Sequence, residues 1–135
     1  MALLRWGKKY SVGVKEMDDQ HIVLVKILNE LHAAMLKGKA QSVADSLFKK
    51  LIEYVQRHFS AEEALLEGVR FPALAEHLSE HRQFTVKVDE YCARFKQGDN
   101  TIYPKLLFFL RDWLVDHMQQ VDKQYTVWMN DHGVR

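Results

Sequence analysis

Tyr54-Val55-Gln56-Arg57-His58-Phe59-Ser60-Ala61-Glu62-Glu63 reads as the later half of a helix, and its reading decides the fold. The apolar stripe of that helix starts at Leu47, Leu51 and Tyr54/Val55, then continues as His58, Glu62 and Leu65/Leu66. Residues three and four apart share a helix face, so an imidazole and a carboxylate stand where core residues belong. Glu63, five residues after His58 and about 140° round the helix from it, is expected to face water. A charge on a buried face needs a compensating partner. A metal ion is the obvious one.

The rest of the chain fits an ordinary globular protein. Its 135 residues suit one domain with a real core. A charged fraction of 27% and a hydrophobic fraction of 47% are unexceptional. The net charge of +1 gives no general attraction to nucleic acid or an anionic membrane. The first nine residues lack the apolar run of a secretory signal, and no stretch approaches a membrane span. The single cysteine, Cys92, excludes an internal disulfide and suits a reducing compartment, so a cytoplasmic location is expected.

Taken in order, residues 1–17 carry Trp6, Tyr10 and Val12-Gly13-Val14 and suggest an extended arm packed on the body. Asp18 or Asp19 then caps a helix with the face His21, Leu24/Val25, Leu28, Leu31/His32 and Met35, ended by Lys37-Gly38-Lys39. A second helix runs from about Ser42 to Glu67 and is stopped by Gly68. Phe71-Pro72 opens a third, with the face Leu74, His77/Leu78, His81, Phe84, Val88, Tyr91 and Phe95, closed by Gln97-Gly98-Asp99-Asn100. Thr101 and Pro104 start the fourth, whose face reaches Trp128 through Leu110, Trp113/Leu114, His117, Val121 and Tyr125. Four such helices with short links predict an all-α, up-down-up-down antiparallel bundle over residues 18–129.

That topology makes the polar core residues converge. Helices one and three carry theirs near their starts, at His21 and at His77 with His81. Helices two and four carry theirs toward their ends, at His58 with Glu62 and at His117 with Asp122. In an antiparallel bundle all of these lie about 5–18 Å from the same end. His32 is the control: eleven residues beyond His21, it lies about 16 Å too far along the axis to join them. His132 falls in the tail. The segment His77-Leu78-Ser79-Glu80-His81 also matches H-x-x-E-H, the inverted zinc-peptidase signature, but that reading leaves His21, His58 and His117 unexplained. Five imidazoles and two carboxylates exceed what tetrahedral zinc uses and suit iron or manganese in higher coordination, as a pair. Asp122 is the misfit, because five residues from His117 is about 140° round a regular helix. Either a π-type widening brings the two together, or they approach from different sides.

Trp6, Val12-Gly13-Val14, Asp18, Asp19-Gln20-His21, His58-Phe59-x-x-Glu62-Glu63, His77-x-x-x-His81 and Trp113-Leu114-x-x-His117-x-x-x-x-Asp122 together resemble the hemerythrin family, in its single-domain bacterial form. The resemblance implies two non-haem iron ions joined by an oxo or hydroxo group. One would be held by His77, His81 and His117 and the other by His21 and His58, with Glu62 and Asp122 bridging both. Counting donors, the second iron then has one open position, where dioxygen would bind. The implied function is reversible dioxygen binding for storage or delivery, by a monomer that could supply an O2-consuming enzyme. It is not an enzyme on this reading, beyond weak oxidase or peroxidase activity. Leu24, Trp113 and Leu114, each a turn from a ligand, are expected to wall the O2 pocket. The competing readings are an oxidase, peroxidase or nitric-oxide-handling enzyme on the same centre, and an O2 sensor acting through a partner.

Overall fold

The computed structural model describes residues 3–38, 40–99 and 101–135, side chains at 40–44, 120 and 121 excepted. Helix α1 spans Lys15–Leu36, α2 Ala40–Gly68, α3 Leu74–Lys96 and α4 Ile102–Asp116. A π-helical turn follows at His117–Val121, then a 3₁₀ turn at Asp122–Tyr125 and a short helix α5 at Thr126–Asp131. No strand occurs among the described residues, and none of their helices is long and apolar enough to cross a membrane. Helix α1 packs along α2 and α3 along α4, while α1 with α4 and α2 with α3 close the ring of an antiparallel four-helix bundle.

Two apolar clusters fill the bundle. The larger gathers Leu24, Val55, Phe59, Phe84, Leu114 and Met118 with the aliphatic residues beyond them. The smaller consists of Val12, Val14, Met17, Leu66, Tyr125 and Met129. Helices α1, α2 and α3 cross from one to the other through their polar residues. Along α1 the order is Met17, His21, Leu24; along α2 it is Phe59, Glu62, Leu66; along α3 it is Leu74, His77 with His81, Phe84. The histidines thus occupy one level, roofed and floored by hydrocarbon. Truncating a fully buried roof residue such as Leu66 to Ala removes packing worth about 2–5 kcal/mol.

The amino-terminal arm completes the smaller cluster, and its path differs from a plain extended strand. It makes a 3₁₀ turn at Lys8–Tyr10 before Val12 and Val14 bury fully. The Thr126 hydroxyl donates to Val12 O at 2.5 Å, and the Asn130 amide donates to Gly13 O at 3.0 Å. Gly13 has φ +72°, and a Cβ there would meet Thr126 Cγ2 at 2.6 Å, so both backbone and space require glycine.

Four boundaries differ from the sequence reading. Phe71 and Pro72 do not open the third helix: Pro72 lies in a turn, and α3 starts at Leu74. Helix α1 begins at Lys15, three residues early, and neither aspartate caps it. Asp18 instead accepts from the Ser11 hydroxyl at 2.6 Å and from Val12 N at 2.8 Å, pinning the arm to the helix. Gly68 remains within α2, and the left-handed residue that ends the turn is Arg70, at φ 53°. The fourth helix is not continuous to Trp128 but changes pitch from His117 onward. Lys39 and Asn100, expected in the links, lie outside the described residues.

Candidate metal centre

His21, His58, Glu62, His77, His81, His117 and Asp122 are all buried and all meet. Their donor atoms form two groups sharing a member, Glu62 with His77, His81 and His117, and Glu62 with His21, His58 and Asp122. Glu62 Oε1 lies 2.5 Å from His77 Nε2, 2.9 Å from His81 Nε2 and 3.5 Å from His117 Nε2. Its other oxygen, Oε2, lies 3.5 Å from His58 Nε2. Asp122 repeats the pattern: Oδ1 lies 2.7 Å from His117 Nε2 and 3.3 Å from His77 Nε2, while Oδ2 lies 3.1 Å from His21 Nε2. Each carboxylate therefore turns one oxygen to the histidine triad and the other to the histidine pair.

Local backbone explains how two carboxylates reach one level. On α2, four residues separate His58 from Glu62, and regular helix suffices. Between His117 and Asp122 there are five, and the π-helical turn His117–Val121 supplies the extra residue per turn. Of the two routes left open by the sequence, the wider turn is the one the chain takes. Asp112 and Asp116, which compete with Asp122 on spacing alone, are exposed, Asp112 paired with Arg111.

The donor set fits a cation better than it fits itself. Both Asp122 oxygens and His117 Nε2 are buried and close together, yet have no hydrogen-bond partner, so they point past one another toward common positions. The Nε2 atoms of His21 and His58 sit 3.0 Å apart. Donors about 2.1 Å from one ion and at right angles are separated by about 3 Å, the spacing found throughout this nest. The other face of two rings is already tied. Gln20 Oε1 accepts from His58 Nδ1 at 2.6 Å, and Glu63 Oε2 accepts from His81 Nδ1 at 3.0 Å. Such bonds place the proton on Nδ1 and leave Nε2 free to ligate. Glu63 was expected in solvent; it is half-buried and orients His81.

Charge in the metal-free nest is divided sharply. Burial pulls the His77 and His117 imidazoles down, but the Asp122 and Glu62 carboxylates outweigh it and push them up to about 9 and about 10. Burial pushes His58 down to about 3, with His21 adding to the effect. Burial resists ionisation of Glu62 and Asp122, yet the surrounding histidines hold both below the ordinary carboxylate range. A cation entering the site would displace the protons of His77 and His117. Burial and both carboxylates keep the Tyr125 hydroxyl protonated; it donates to Glu62 Oε2 at 3.1 Å.

Aromatic rings cover two of the histidines. Phe59 stacks on His81 at 3.7 Å between centroids, and Trp113 stacks on His117 at 4.3 Å. Leu24, Trp113 and Leu114 line one apolar cavity of about 20 Å³ together with Phe59, large enough for a water-sized molecule. His32 and His132 stay outside the nest; the latter is exposed and bonds Trp128 O through Nδ1 at 2.7 Å. Sequence reasoning missed Tyr125, Gln20 and Glu63 as partners of the donors. For Tyr125 a signal existed, since it lies one turn after Asp122 on the same stripe.

Known proteins resemble this chain in sequence and in fold. The family model of the hemerythrin HHE cation binding domain matches residues 12–128. The bacteriohemerythrin of Stenotrophomonas maltophilia is 32% identical over 132 residues, covering 98% of this chain and 85% of that protein. That of Methylococcus capsulatus is 31% identical over 126 residues, covering 93% and 95%. A wild-type hemerythrin crystal structure superposes with a TM-score of 0.84 at 27% identity, covering 95% of this chain and 98% of that one.

Proposed function

This chain belongs to the hemerythrin family, and on that footing we propose that it binds dioxygen reversibly at two non-haem iron ions, for storage or delivery. His77, His81 and His117 would hold one ion and His21 and His58 the other, with Glu62 and Asp122 shared between them. The observation that carries this reading is the division of each carboxylate, one oxygen toward the triad and one toward the pair. The ions supply the electrons and the binding position that dioxygen needs.

The chain supplies the conditions for reversal. Glu63 and Gln20 fix the protons of His81 and His58 on the ring nitrogen away from the centre, so the ligating nitrogens stay neutral donors. Tyr125 holds the Glu62 oxygen on the pair side by donating its proton. The pair side offers one nitrogen donor fewer than the triad side, so dioxygen would approach beside His21 and His58. Leu24, Trp113 and Leu114 would form an apolar wall that excludes water from the site. Anaerobic, ferrous-loaded protein exposed to air should develop a visible ligand-to-metal absorption that disappears when oxygen is removed and returns over repeated cycles. Irreversible bleaching in one exposure would reject the carrier reading in favour of an oxidase.

A further inference from the structure

A cation that occupies the nest must first reach it. Among the described residues, the cavity beside the histidines is apolar and about 20 Å³, too small and too dry to pass a hydrated ion. The floor offers another approach, because part of its cover is not helix. Val12-Gly13-Val14 is non-helical chain packed with Met17, Leu66, Tyr125 and Met129. Met17 precedes His21 by four residues, Leu66 follows Glu62 by four, and Tyr125 follows Asp122 by three. A single layer of side chains therefore separates the arm from the donors.

The arm is held there by a few polar bonds. Val12 O accepts from the Thr126 hydroxyl and Gly13 O from the Asn130 amide. Asp18 accepts from Val12 N through Oδ1 and from the Ser11 hydroxyl through Oδ2. Ser11, Asp18, Thr126 and Asn130 are only half-buried, so water competes for these bonds. Asp18 also faces inward along α1, three residues before His21. Its charge helps to hold the proton on Tyr125, and Tyr125 in turn donates to Glu62. Oxygen atoms thus run from the surface to the nest in the order Asp18, Tyr125, Glu62. With the arm closed both Asp18 oxygens are engaged, and lifting the arm releases them as a free carboxylate.

We propose that the amino-terminal arm is the gate through which the metal enters and leaves, and that Asp18, uncovered as the arm lifts, is the first carboxylate to receive an incoming divalent cation. The proposal rests on the reading of the nest as a metal centre; iron content at equilibrium tests that reading, and rates test the gate. A Cβ built on Gly13 lies 3.9 Å from Thr126 Cβ, within the span of a disulfide, so Gly13→Cys with Thr126→Cys can fasten the arm to α5. With that disulfide closed, anaerobic release of ferrous iron to a chelator should slow roughly tenfold, and reducing it should restore the rate. Thr126→Val, which deletes one bond and keeps the shape, should speed release about fivefold. Ile102→Val, a small loss of packing in the larger cluster, should leave release unchanged. Asp18→Asn keeps partners for Val12 and Ser11 but loses the charge, and it should slow ferrous uptake by the metal-free protein several-fold while the final iron content stays the same. Release equally fast with the disulfide open and closed, or unaltered by Thr126→Val, would overturn the gate. Uptake unaltered in Asp18→Asn would overturn the role of Asp18. Fewer than two irons per chain in the unaltered protein would instead reject the metal-centre reading beneath both.

Discussion

Helix α2 and the chain after α4 do the same job by different backbones. Each delivers one histidine and one carboxylate to the nest. In α2 regular helix brings His58 and Glu62 together at a spacing of four, whereas His117 and Asp122 need a π-helical turn at a spacing of five. The resulting carboxylates are not equivalent. Glu62 lies against four histidines and receives the Tyr125 hydroxyl, while Asp122 lies against three and its oxygens have no hydrogen bond. One carboxylate is held by the protein before any metal arrives. The other is positioned by backbone pitch, and its oxygens would be satisfied by a metal.

Neutralising the carboxylates tests that difference most severely. Both Glu62→Gln and Asp122→Asn should lower bound iron below two per chain in metal analysis, and Glu62→Gln should lose more. Full iron content in Asp122→Asn would mean that the π turn serves packing alone. Next in size is the support behind the α2 side: Glu63→Ala, which frees His81 Nδ1, should weaken iron binding about 10- to 100-fold in a competition with a chelator. Leu114→Ala, by opening the apolar wall, should shorten the lifetime of the oxygenated protein a few-fold; an unchanged autoxidation rate would remove Leu114 from that wall.

The smallest expected effect is on the pH dependence of the metal-free protein. His77 and His117 are raised on folding, so their stabilisation is complete below the ordinary imidazole value of about 6.5 and fades as pH climbs through 9 and 10. His58 is lowered, and the carboxyls with it, so their stabilisation is present at neutral pH and is lost on acidification. The thermal midpoint in chelator should therefore peak near neutrality, falling by a few degrees on either side. A midpoint that rises steadily from neutral pH to pH 10 would contradict the charge division in the nest.

The bundle and its donors were legible in the sequence for one reason: His21, His58, Glu62, His77, His81 and His117 violate an otherwise apolar helical stripe, and a violation repeated on four helices is a pattern. Asp122 stood at the right level of the bundle, but spacing alone did not choose it over Asp112 or Asp116; the resemblance did, because pitch change is not written in side-chain periodicity. Gln20 and Glu63 escaped for the opposite reason. Each sits off the stripe of its own helix, and only the packing of α1 on α2 and of α2 on α3 turns it toward a ring nitrogen. The start of α1 was misplaced because Asp18 resembles a cap, while its carboxylate binds Ser11 and Val12 instead.

Mössbauer spectroscopy on oxidised protein reconstituted with isotopically enriched iron tests most directly whether Glu62 and Asp122 join two metals. The expected result is two ferric ions per chain, antiferromagnetically coupled and without magnetic splitting at low temperature. One ion per chain, or two that behave as isolated high-spin centres, would contradict a bridged pair.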